Sequence, residues 1–160
     1  MSYKATMGNV AKKLDNRPLY ERDYYAWVQS QVQALESRKF DEIDFANLAD
    51  EVGDLGKSER RQVVSRLEII MLHMLKCLYQ PEMQTPSWDL TIKIQRIDLS
   101  SVLSENPSLK SLPVEAFERT YQRARLEAAK ETGMDLSVFP TEPPFTPAQV
   151  VLGDAQPDAL

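Results

Sequence analysis

One histidine and one cysteine hold the most reactive side chains of this 160-residue chain, and they stand four residues apart. On a helix, His73 and Cys77 share one face, a turn apart. As chemistry, that spacing offers two metal ligands, or a thiol with its base. As packing, it offers a satisfied core histidine and a small buried hydrophobe, and the packing reading fits better. A structural zinc site takes four ligands, mostly Cys and His, and the chain has only these two. Carboxylates would have to supply the rest. A mid-helix Cys77 also lacks the N-terminal dipole that lowers a thiol pKa. The Glu-x-x-His signature of di-iron bundles fails because Ile70 stands three before His73. His73 and Cys77 are weak metal candidates, and no cofactor is expected.

A second constellation surrounds His73. On a helical wheel Glu59, Gln62, Arg66, His73 and Gln80 share a narrow arc, with Lys76 at its edge. Ionisable groups inside a bundle must be paired. The acidic run Asp41, Glu42, Asp44, Asp50, Glu51, Asp54 precedes the basic Lys57, Arg60, Arg61 and Arg66. The simplest expectation is structural: Glu51 or Asp54 pairs with Arg66, His73 or Lys76 across a helix pair. The catalytic alternative is a hydrolase or metal-dependent enzyme, with His73, Glu51 and Lys76 as acid–base groups.

Basic residues give a third reading. Lys93 and Arg96 lie near Trp88, and Arg119, Arg123 and Arg125 crowd a later segment. Glu115, Glu118, Glu127 and Glu131 are interleaved there, the pattern of a solvated helix face. No nucleic-acid reader motif is recognisable.

Proline placement shows which elements must position these groups. No proline falls between Pro18 and Pro81, and proline-free stretches are helix candidates. A first helix is expected over Glu21–Arg38. A second begins near Asp44 as N-cap, with Phe45, Leu48, Val52 and Leu55 as its stripe. Gly53 and Gly56 predict a break or sharp bend, with Ser58 recapping. A third helix, Ser58–Tyr79, is apolar nearly all round from Ile69, so it is central in a bundle or buried against a second chain. Ser87–Ser104 is ambiguous: Trp88, Leu90, Ile92 and Ile94 alternate like a strand. No other strand candidate exists to pair with it, so helix is the better reading, with Ser87 as N-cap. Val114, Phe117, Tyr121, Ala124 and Ala128 mark a last long helix, ended by Gly133 as left-handed cap. Thr146-Pro147 caps a short helix through Leu152.

Composition narrows the classes. Apolar residues are 42%, charged residues 27%, and the net charge is −5. That is globular composition with no global footprint for nucleic acid or anionic membrane. One cysteine cannot form an internal disulfide, no apolar run reaches a membrane span, and no signal peptide is recognisable at the start. The expectation is a soluble cytoplasmic protein. Its fold class is all-α: a small helical bundle of four to five main helices, with a central apolar helix at about 58–79 and an extended proline-rich C-terminal tail. Residues 1–18 are expected to be a flexible segment, 19–152 a single helical domain, and 153–160 a frayed tail.

The run Leu19-Tyr20-Glu21-Arg22-Asp23-Tyr24-Tyr25-Ala26-Trp27 resembles the opening of a bacterial family, domain of unknown function 29, common in cyanobacteria. Phe40 to Asp44, Asn47 to Glu51, Leu55 to Arg61, Leu72 to Lys76, Tyr79 to Glu82, Ser87-Trp88, Glu131 to Gly133 and Phe139-Pro140 follow in the same order. The resemblance covers roughly residues 19 to 152. It implies an all-helical fold and assigns no reaction. The expected function is a helical protein-interaction module without a catalytic centre, acting on an unknown protein partner or as a homodimer. The exposed-looking Tyr20, Tyr25 and Trp88 support that reading. The enzyme centred on His73 and a nucleic-acid-associated accessory protein are the alternatives.

Overall fold

A computed structural model describes residues 17–153. The segments expected to be flexible and frayed, 1–18 and 153–160, fall outside it but for their innermost residues. Seven α-helices and four single turns of 3-10 helix order the described residues, with no strand among them. The helices are α1 (Leu19–Arg22), α2 (Tyr24–Glu36), α3 (Phe45–Tyr79), α4 (Pro86–Glu105), α5 (Leu112–Glu115), α6 (Phe117–Thr132) and α7 (Pro147–Leu152). The fold is all-α, and α3 is its longest helix. The chain forms two compact units, the first ending at Gly53 and the second beginning at Asp54.

In the first unit, the single helix expected over Glu21–Arg38 is two. Asp23 leaves helical geometry, and its side chain accepts a hydrogen bond from Ala26 N at 3.0 Å, making it the N-cap of α2. Trp27, Ala34 and Ile43 form a thin apolar core. Asp44 starts α3 as expected: its Oδ1 accepts from Asn47 N at 3.3 Å. Gln31 Oε1 in turn accepts from Asp44 N at 2.7 Å.

The expected break at Gly53–Gly56 does not occur, and α3 runs 35 residues without interruption. A glycine in a helix interior costs about 1 kcal/mol relative to alanine. That is a weakening, not a stop, and Leu55, Lys57, Glu59 and Arg60 nearby are good helix formers. Asp54 and Lys57 also pair at 2.8 Å across one turn.

The second unit has a contiguous apolar core. Val63, Leu67, Ile70, Met71 and Leu75 of α3 meet Leu99 of α4, Tyr121 and Ala124 of α6, and Phe139 and Val150 beyond them. Gly133 adopts the left-handed conformation (φ 71°) that ends α6. The proline-rich segment after it is a strap pinned along α6. Tyr121 donates to Pro140 O at 2.6 Å, and Arg125 Nε to Phe139 O at 2.8 Å. Thr146 and Gln149 form a capping box at the start of α7, as their spacing requires. Arg96 of α4 donates to the carbonyls of Gln149 and Val150, and α7 packs against α4 and α5. Gly153 stands here with φ 76°, where a Cβ would come within 2.8 Å of Arg96 Nη1.

Candidate functional site

The strip that carries His73 lies along α3, with Gln80 just past its end. His73 is half-buried, less than expected, and its ring makes the expected hydrogen bond. Nδ1 lies 2.9 Å from Ile69 O, one turn back. A carbonyl only accepts, so Nδ1 holds the proton and a neutral ring leaves Nε2 as acceptor. Cys77 is also half-buried. Burial pushes its thiol up, and the charge of Asp89 adds to that, the reverse of nucleophile activation. Among the described residues, no three His, Cys, Asp or Glu side chains are grouped to hold a metal ion.

Two other polar residues of the strip, Arg66 and Lys76, bind helices together. Arg66 Nη1 donates to Asp98 at 2.7 Å and to Gln95 at 3.2 Å, tying α3 to α4. Its Nε is buried without a partner. Lys76 is buried, pairs with Glu131 of α6 at 2.7 Å, and lies 4.4 Å from the ring centroid of Trp88. Gln62 donates to Glu59 at 3.2 Å.

The expected pairing of Glu51 or Asp54 with Arg66, His73 or Lys76 is therefore wrong. It required the chain to fold back at Gly53–Gly56, and α3 continues instead. Asp54 and Arg66 lie twelve residues apart on one helix, roughly 18 Å along its axis at 1.5 Å per residue. Asp54 bonds Lys57. Glu51 accepts from Tyr20 at 2.6 Å and from Tyr24 at 2.7 Å. Those hydrogen bonds, ahead of desolvation, push the Tyr20 hydroxyl up to about 12 and raise that of Tyr24. Tyr20, Tyr24 and Trp27 form an aromatic trio with centroids 4.8 to 5.9 Å apart. Trp27 Nε1 donates to Asp44 at 3.2 Å. Asn47, first with its side chain and then with its backbone, holds the Asp44 carboxyl below its ordinary value. Of the aromatics expected at the surface, Tyr25 is exposed, while Tyr20 and Trp88 are half-buried.

Three of the basic residues are likewise in use. Arg123 pairs with Glu68 at 2.8 Å. Arg125 holds the strap, and Arg96 holds α7.

A family model described as Domain of unknown function DUF29 matches residues 19–154. The chain belongs to that family. No curated protein matches the chain, and no solved structure matches it. Membership in DUF29 brings no reaction with it, so the chemistry must be read from geometry.

In this DUF29 chain one uncovered apolar face is on α4, and Phe45, Val52 and Leu55 near the start of α3 are exposed as well. Ile92, Leu99, Val102 and Leu103 face the core. Leu90, Ile94 and Ile97 are 55%, 54% and 69% exposed. At about 100° per residue these sets lie on opposite sides of the helix. The signal was present in the sequence as the Leu90-Ile92-Ile94 alternation. It arises because α4 is apolar on two faces, not because it is a strand. By contrast, α3 from Ile69 to Tyr79 is covered by its own unit. Ile70, Met71, Leu72 and Leu75 are buried, and Leu78 alone is more than half exposed.

Proposed function

We propose that this protein is a cytoplasmic helical interaction module, and that its contact surface is the outward face of α4. One observation carries the reading: Leu90, Ile94 and Ile97 recur at i, i+4 and i+7 on a helix that already buries its other side. Contiguous exposed apolar side chains of this kind mark partner sites. Helical spacing suits them to the apolar stripe of one partner helix laid across them. Three aliphatic side chains amount to a few hundred Å² at most, well short of the roughly 800 Å² per side of a standard complex. The occupant is thus a single amphipathic helix of another protein, bound reversibly. The α3 surface that suggested self-association is covered within its own unit.

The test is a variant with Leu90, Ile94 and Ile97 all changed to serine, compared with wild type in affinity isolation from the source cell. A protein held by wild type and lost from a variant of unchanged thermal stability supports the reading. Identical captured sets defeat it. Light scattering should give a mass near 18.3 kDa for wild type. A doubled mass that the serine variant halves would make the occupant a second copy.

A further inference from the structure

A second surface, independent of α4's outward face, has the makings of a ligand site. Between α5 and α7 lies a cleft of about 280 Å³ with Leu103, Pro113, Val114, Pro147 and Ala148 in its walls. Lys110 is the one charged residue lining it. The Lys110 ammonium has no hydrogen-bond or ion-pair partner among the described residues. Thr146, also in the lining, uses its hydroxyl to cap α7.

The walls are fixed before anything binds. Pro113 and Pro147 open α5 and α7 within their first turns, where their set φ suits the helix. Arg96 clamps α7 by two carbonyls. A preformed, mostly apolar cleft with a single polar anchor is the usual make-up of a small-molecule site, and pre-organisation lowers the cost of binding. Val114 stands at the rim, 65% exposed. Glu118 and Glu142 line the next hollow, beyond Val114 and Pro147. An anionic head is therefore repelled from that end and drawn to Lys110.

We propose that this cleft binds a small amphiphilic carboxylate, its apolar body between α5 and α7 and its carboxylate against Lys110. A cleft of about 280 Å³ suits a short alkyl body rather than a long chain.

Octanoate is the probe, with octylammonium as the opposite-charge control, titrated into the full chain by calorimetry and by NMR. Octanoate should bind saturably at one site, with Kd on the order of a millimolar or below for a ligand of this size. Octylammonium should bind at least about tenfold more weakly. Lys110→Glu, an exposed change that leaves the core intact, should weaken octanoate by about fivefold or more, while Ala148→Trp should fill the cleft and abolish binding. No saturable binding, equal binding of the two head groups, or octanoate affinity indifferent to Lys110→Glu would each overturn the proposal.

Discussion

The two units solve the same problem by different means. The first unit has few buried apolar side chains, and polar bonds do much of its holding. One carboxylate, Glu51, takes two tyrosine hydroxyls, and another, Asp44, takes an indole N–H and an asparagine. The second unit is a contiguous apolar core in which Val63, Leu67, Ile70, Met71 and Leu75 of α3 are fully buried. One helix serves both. Where α3 reads Asn-Leu-Ala-Asp-Glu it offers acceptors, and where it reads Leu-Glu-Ile-Ile-Met-Leu it offers area. Polar holding is specific but modest, since each bond replaces one made to water. Apolar holding scales with area.

The largest expected effect lies in the second unit. Ile70→Ala should cost about 2–5 kcal/mol, the range for deleting a fully buried aliphatic side chain. Ile94→Ala, on the outward face of α4, should change stability by about 0.5 kcal/mol or less. Denaturant midpoints of the two variants check this. Equal losses would mean that Ile94 is covered, and would remove the proposed contact surface.

The first unit should respond to loss of a donor. Trp27→Phe keeps an aromatic ring and deletes the N–H that bonds Asp44. The expected cost is about 1.5–3 kcal/mol, the range for a hydrogen bond to a charged group. If Trp27→Phe is neutral while Trp27→Ala is costly, the aromatic trio holds the unit by area alone, and the contrast between the units disappears.

Helix identity was legible because proline and capping chemistry act locally. Asp44, Gly133 and Thr146-Pro147 each need only their neighbours to be recognised. Gly53 and Gly56 were misleading because a glycine's cost is also local, whereas continuity of α3 depends on everything that packs along it. The polar partners were illegible for the same reason. Asp98 and Glu131 claim Arg66 and Lys76 only once α4 and α6 lie against α3. The candidate surface was half legible. Two apolar faces on α4 could be read from its alternation, but which of them the bundle covers is a tertiary fact.

The smallest effect is a titration that separates the two modes of holding. Tyr20 in the first unit and Tyr121 in the second are both pushed up to about 12, for different first causes. For Tyr20 it is the hydrogen bond to Glu51, and for Tyr121 it is burial. Because both folded values are raised, the stability they contribute is complete below pH 10. It is lost as pH rises from 10 through 12, where the unfolded chain ionises first. Glu51→Gln removes the negative acceptor, so Tyr20 and Tyr24 should titrate nearer pH 10 while Tyr121 stays late. Phenolate absorbance read against pH should then show more of the six tyrosines ionising early in the variant than in wild type. Adding Tyr121→Phe should remove the late ionisation that remains. If Glu51→Gln leaves the titration unchanged, burial delays Tyr20 as it does Tyr121, and the first unit excludes water far better than its polar bonding implies.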